Sequence, residues 1–212
     1  VESSMGKALA GTPPGLLTEN ATIYQAETAG TSHLSIIDNL GNIVSMTTTI
    51  ESGFGSRLMT DGFLLNNELT DFSFVPERDG LEVANRVEGG KRPRSSMAPT
   101  IVFDSHGEPV LITGSPGGSR IICYVVQSLV SVLDWNMSPQ QAVSMPHFCN
   151  RNGTTDLESA ESTAQLKATL QGLGHKVRIR DLNSGLHLIK ILPDGQLLSG
   201  VDPRREGLAA GD

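Results

Sequence analysis

The chain has 212 residues, of which 38% are hydrophobic, 18% charged and 4% aromatic, and its formal net charge is −7. This composition supports a folded, mainly aliphatic core and excludes wholesale disorder. Lys and Arg number 16 against 23 Asp and Glu, which argues against a general nucleic-acid binder, and no apolar run approaches the ~20 residues that span a bilayer.

Residues 1–30 are rich in Gly, Pro, Ser, Thr and Ala. Pro13 and Pro14 end any helix begun at Met5–Leu9, and the segment reads as a poorly ordered arm. There is no initiator Met and no basic start followed by an apolar run, so the chain reads as processed or as part of a longer polypeptide. His33–Asp38 and Asn42–Ile50 are β-rich runs around a turn at Asn39–Gly41, which predicts a hairpin. Thr100–Asp104 and Pro109–Thr113, on either side of a Ser105–Gly107 turn, predict a second. Ser119–Trp135 carries apolar residues at helical spacing. Ser138, Pro139 and Gln141 form a helix start, with Ser at the cap and Pro in the first turn. A third helix is expected over Ser159–Leu173, stopped by Gly172 and Gly174. Strands follow at Lys176–Ile179, Leu186–Leu192 and Gln196–Val201. The order predicts an α+β domain of antiparallel sheets with helices packed outside. Cys123 reads as a buried structural thiol, with a Cys123–Cys149 disulfide as the alternative. Two cysteines without CxxC spacing give a zinc site no support.

The P-loop, dinucleotide-binding, zincin and nucleophile-elbow signatures are all absent. What remains is a set of hydroxyls and glycines. Thr31 opens the first strand directly after Gly30, and Thr47–Thr49 lie on its partner. Ser95 and Ser96 follow a basic turn. Ser115-Pro116-Gly117-Gly118-Ser119-Arg120 joins a strand to a helix. In the last motif, glycines permit close backbone approach and helix-start N–H groups favour negative charge, as an oxyanion hole requires. A plain strand-to-helix turn is the alternative.

The run from Thr31 to Ile50 resembles the start of the small subunit of gamma-glutamyltransferases, which are N-terminal nucleophile hydrolases. Gly62–Ser73, Lys91–Thr100, Gly114–Arg120 and Asp202–Gly211 match that family in order and spacing. The resemblance implies a four-layered αββα sandwich, with residues 31–212 as the small subunit and 1–30 as the tail of the large one. It implies self-cleavage between Gly30 and Thr31, after which Thr31 is both nucleophile and base: its new α-amine, with a pKa near ~8, can accept the hydroxyl proton. Thr49 matches the threonine that supports the nucleophile, and Gly117 and Gly118 match the oxyanion pair. Glu68 and Asp71 match groups that hold the substrate's α-amine, and Ser95 and Ser96 those that hold its α-carboxylate. His33 and His147 are expected to be structural.

Glu51 stands where these transferases usually carry Asn near the α-amine, so it joins the expected substrate-binding set and puts classical glutathione use in doubt. The implied activity is cleavage of γ-glutamyl amides through an acyl-enzyme, with transfer to water or an amino acid. The alternatives are a glutaryl-type cephalosporin acylase, or an uncleaved, non-catalytic relative. No cofactor or metal is implied. The implied partner is the large subunit of the same precursor, which supplies an arginine for the α-carboxylate. The resemblance suggests the periplasm or cell exterior, with the cytoplasm left open.

Overall fold

A computed structural model describes Ala21 and residues 30–211; the expected 1–30 arm lies, apart from Ala21 and Gly30, outside the described residues. The described chain falls into two compact units. One comprises residues 31–48 and 97–211, the other Ala21, Gly30 and 49–96.

The first predicted hairpin forms from β1 (Thr31–Ile37) and β2 (Ile43–Thr49). Asp38 shapes its turn: one carboxylate oxygen accepts the N–H groups of Leu40 and Asn42 at 2.9 and 2.8 Å. An Asx-type side chain that caps its own turn replaces ladder bonds the backbone has lost.

The second unit is mostly irregular. It holds two short antiparallel pairs, β3 (Met59–Thr60) with β4 (Phe63–Leu64), and β5 (Glu77–Arg78) with β6 (Leu81–Glu82). Between them, Glu68–Asp71 make one 3-10 turn.

The other unit continues with β7 (Thr100–Phe103) and β8 (Pro109–Gly114), the second predicted hairpin. Asp104 caps that turn as Asp38 caps the first, accepting from the N–H groups of His106 and Glu108. A short 3-10 turn, Gly118–Arg120, leads into α1 (Ile121–Leu133), so the predicted helix starts and ends two residues inside its expected limits. Then come α2 (Pro139–Ser144), β9 (Phe148–Asn150), β10 (Thr155–Glu158), α3 (Thr163–Gly172), β11 (Val177–Arg180), β12 (His187–Ile191) and β13 (Leu197–Val201). The expected capping box is present: Ser138 Oγ accepts from the Gln141 N–H, and Gln141 Oε1 accepts from the Ser138 N–H. The third helix begins at Thr163 rather than Ser159, where the Thr163 hydroxyl donates to the Glu158 carbonyl.

The main sheet is antiparallel, in the order β13-β12-β8-β7. Both faces of β8 are covered, since Leu111 and Ile112, which point to opposite faces, are each fully buried. On one face Leu111 and Leu188 join Tyr124 and Val132 of α1 and Ala142 and Val143 of α2. The opposite face meets β1, where the Ser45 hydroxyl of β2 also donates to the Thr113 carbonyl. The layers are therefore helix, sheet, sheet, which is α+β as expected. A second sheet, β11-β10-β9, contains the one parallel pairing among the named strands, β10 with β11.

β9 and β10 are strands that the residue pattern does not predict. Thr155-Asp156-Leu157-Glu158 is too polar to read as a buried strand, but Arg120 and Arg178 neutralise Asp156 at 2.8 and 2.6 Å, and the carboxylate can sit inside. Burial alone would raise the Asp156 pKa; these two arginines hold it below the ordinary value. Cys123 is not a free thiol. It is bonded to Cys149, with the two Cα atoms 5.6 Å apart, so the bond ties α1 to β9. Arg204 anchors the C-terminal motif, donating to Glu158 at 2.5 and 2.7 Å, to Asp202 at 3.0 Å and to the carbonyls of Val143 and Met145. Among the described residues, no helix is long and apolar enough to cross a membrane.

Candidate functional site

Thr31 is the first residue of β1 and is half-buried. The carbonyl of the preceding residue, Gly30, accepts two hydrogen bonds, from the Ile50 N–H at 3.1 Å and from the Thr49 hydroxyl at 3.3 Å. The same Thr49 oxygen accepts from the Glu51 N–H at 2.8 Å, which fixes its rotamer. Two donors on one carbonyl polarise it and can stabilise negative charge on its oxygen during attack at its carbon. Only glycine fits at position 30: a Cβ there would lie 2.6 Å from the Glu51 carbonyl oxygen.

His33 is buried two residues beyond Thr31. Its Nδ1 meets the Thr47 hydroxyl at 2.8 Å and its Nε2 the Ser35 hydroxyl at 3.1 Å. Burial, with a smaller contribution from His187, lowers its pKa to about 4, so the ring is neutral near pH 7. Nδ1 ties β1 to Thr47 of β2, while Nε2 is taken up within β1 by Ser35, so both nitrogens serve the structural role expected of the ring. His147 is buried as well, between Gln127 and Ser184.

The glycine turn follows β8. Gly117 has φ 135° and Gly118 φ 60°, both in the left-handed region. A Cβ on Gly117 would also lie 2.6 Å from the Tyr124 ring. The turn is held at both ends. Ser115 Oγ accepts from the Gly185 N–H at 3.1 Å, and Arg120 is locked onto Asp156. Ser119 is a hydrogen-bond partner of Arg151. Backbone N–H groups thus sit at the start of α1 on a rigid loop, which suits an anionic oxygen.

Glu51, Glu68 and Asp71 come together within the second unit. One carboxylate oxygen of each lies within 4.8 Å of the others. Glu51 adopts φ 69°, and Glu68 and Asp71 sit at the two ends of the 3-10 turn. Two asparagines that the sequence did not single out build this cluster. Asn67 accepts from the Ser52 N–H and donates to the Ser52 hydroxyl, tying the Glu51 segment to the turn. Asn85 donates to the Asp71 carbonyl at 2.6 Å and accepts from the Arg94 N–H at 2.9 Å, placing the residues just before Ser95 beside the turn. Glu68 Oε2 is buried and has no hydrogen-bond partner among the described residues. Burial, then the Asp71 charge, raises the Glu68 pKa. Three crowded carboxylates with an unsatisfied buried oxygen are suited to a cation, either a metal ion or an organic ammonium group. Ser95 is exposed and Ser96 half-buried on the extended segment that follows.

The family model described as gamma-glutamyltranspeptidase matches residues 5–212. The chain is 39% identical over 195 residues to the glutathione hydrolase proenzyme of Escherichia coli, covering 87% of this chain and 33% of that protein. It is 36% identical over 192 residues to an acylase proenzyme of a Pseudomonas species, covering 88% of this chain and 33% of that one. Among solved structures, a mutant gamma-glutamyltranspeptidase of Helicobacter pylori superposes with a TM-score of 0.74 at 39% identity, covering 82% of this chain and 99% of that chain. The present chain spans about a third of the length of these curated relatives.

Proposed function

The chain belongs to the gamma-glutamyltranspeptidase family, and on that premise we propose that it forms the small, nucleophile-bearing part of a self-cleaving γ-glutamyl hydrolase and transferase. Residues 31–212 are the subunit, and the large subunit of the same precursor is its partner. The precursor's own Thr31 hydroxyl attacks the Gly30 carbonyl carbon, whose oxygen carries the Thr49 and Ile50 donors. An ester forms as the peptide bond breaks, and water releases residues ending in Gly30. The freed α-amine of Thr31 then takes the hydroxyl proton when the hydroxyl attacks a γ-glutamyl amide. Gly117 and Gly118 N–H groups stabilise the resulting oxyanion, and the protonated amine passes its proton to the leaving amine. Water, or an amino acid acting as acceptor, resolves the acyl-enzyme. The Cys123–Cys149 bond fits an oxidising compartment such as the periplasm or cell exterior.

The observation that carries the substrate assignment is the Glu51–Glu68–Asp71 cluster. A γ-glutamyl group brings an α-ammonium with three N–H donors and a positive charge; a glutaryl group brings neither. Three carboxylates therefore favour γ-glutamyl over the glutaryl substrates of an acylase, with Ser95 and Ser96 as donors to the α-carboxylate.

The test uses the full-length precursor. Mass spectrometry should find a subunit beginning at Thr31, and turnover should be compared on γ-glutamyl and glutaryl anilides. Losing one charge-assisted hydrogen bond costs about 1.5–3 kcal/mol, so Asp71→Asn should lower kcat/KM for the γ-glutamyl anilide by roughly 10–100-fold. Slow glutaryl turnover should not fall with it. Wild-type preference for the glutaryl anilide would reject the substrate assignment, and active protein without a Thr31 terminus would reject the mechanism.

A further inference from the structure

Self-cleavage creates a mechanical problem for the nucleophile. Once the Gly30–Thr31 bond is broken, Thr31 is a chain terminus held covalently on one side only, and termini fray unless tied down. Its hydroxyl and its amine both hang from one Cα, so any tilt of the Thr31 peptide misplaces nucleophile and base together. Through its backbone, β1 is paired with β2 alone among the named strands.

Two side chains hold that strand by its carbonyls. Arg205 Nη1 donates to the Thr31 carbonyl at 3.4 Å. The other arm of the same guanidinium is fixed, with Nε and Nη2 donating to the Asn183 carbonyl at 3.1 and 2.9 Å. Two residues along β1, the His33 carbonyl accepts from His187 Nδ1 at 2.7 Å. A carbonyl only accepts, so Nδ1 of His187 carries hydrogen. Carbonyls two residues apart point the same way along a strand. One edge of β1 is therefore tied at successive positions, to the first residue of β12 and to the C-terminal segment.

Both tethers lie in slots cleared by glycine. A Cβ on Gly185 would come within 3.0 Å of Arg205 Cδ and 2.7 Å of Pro116, and one on Gly207 would lie 2.7 Å from His187 Nε2. Gly185 also donates its N–H to Ser115, at the start of the glycine turn. The tether on Thr31 and the support of the turn thus share one backbone segment, residues 183–185.

We propose that Arg205 and His187 are positioning residues for the Thr31 nucleophile, stapling the carbonyls of Thr31 and His33 so that the strand end keeps its place after cleavage. The proposal rests on Thr31 being the nucleophile, and the experiment separates the two claims. The full-length protein is prepared as wild type, Thr31→Ala, Arg205→Met, Arg205→Lys, His187→Leu and His187→Asn, and kcat and KM for a γ-glutamyl anilide are measured on folded material that is cleaved in every case but Thr31→Ala, which lacks the hydroxyl that cleaves the precursor and is assayed uncut. Misplacing a reacting group by a fraction of an ångström to 1 Å is expected to cost roughly 10–100-fold, so Arg205→Met and His187→Leu should lose about that much in kcat with KM within about twofold. His187→Asn keeps an N–H near the Nδ1 position and should recover most of the loss. Arg205→Lys keeps one cationic donor but not the fork, and should fall between Arg205→Met and wild type. A simple packing defect would not be rescued by these polar replacements. Wild-type kcat in both Arg205→Met and His187→Leu, a loss confined to KM, or no recovery in the Asn and Lys variants would overturn the staple. If Arg205→Met does not yield folded, cleaved protein, Arg205→Lys decides: kcat reduced several-fold at constant KM supports the proposal, and wild-type kcat overturns it. Turnover retained by Thr31→Ala would remove the nucleophile assignment and the staple with it. An inactive Thr31→Ala beside fully active tether variants would remove the staple alone.

Discussion

Acidification should loosen the strand pair that carries Thr31, and His33 is the reason. The ring is only 5% exposed and is hydrogen-bonded at both nitrogens to hydroxyls of β1 and β2. Burial first, and the His187 charge second, bring its pKa from an ordinary 6.5 to about 4. Between those two values the unfolded chain holds a proton that the folded chain refuses. Stability from this group is therefore fully present above pH 6.5 and is lost as the pH falls toward 4. Between pH 7 and pH 4.5 the loss is about 2 kcal/mol. His147, also lowered to about 4 mainly by burial, acts in the same direction. The assay is urea unfolding of the full-length protein at the two pH values, for wild type and His33→Gln. The variant keeps polar groups near the hydroxyls but cannot titrate. Wild type should lose roughly twice as much stability as His33→Gln over this interval, because one of two similar titrations has been removed. Equal losses, within about 0.5 kcal/mol, would refute the claim that His33 is neutral by burial.

Gly117→Ala should fold less stably and lose nearly all turnover, because φ 135° and the Tyr124 ring at 2.6 Å both exclude a Cβ; kinetics on cleaved protein would show this, and activity within about tenfold of wild type would argue against a backbone oxyanion role. Replacing Cys123 and Cys149 by Ser opens a loop closed over a separation of 26 residues, for which chain entropy gives a loss of about 3.5 kcal/mol. Denaturant unfolding with and without reductant would measure it. Because Cys149 lies on β9, kcat should change far less than stability.

Local chemistry was legible in the sequence wherever the determining contacts are local. Asp38 and Asp104 close hairpins within four residues, and Ser138 and Gln141 cap a helix three residues apart. The motifs around Thr31, Thr49 and Gly117 lie on the strands and turn that their patterns predicted, and the family they indicated is the one to which the chain belongs. Glu68 and Asp71 were legible as candidates, but their convergence with Glu51 depends on Asn67 and Asn85, whose side chains reach 15 and 14 residues away. No local pattern encodes such a reach. The same limit hid β10, whose polar residues form a buried strand only because Arg120 and Arg178 arrive at Asp156 from 36 and 22 residues away. It left the pairing of Cys123 with Cys149 open, since spacing fixes no geometry. The anchors of the nucleophile strand are the extreme case: His187 meets His33 across 154 residues, and Arg205 meets Thr31 across 174. Periodicity and turn chemistry set the elements, while these contacts exist only once the main sheet has brought the two ends of the described chain together.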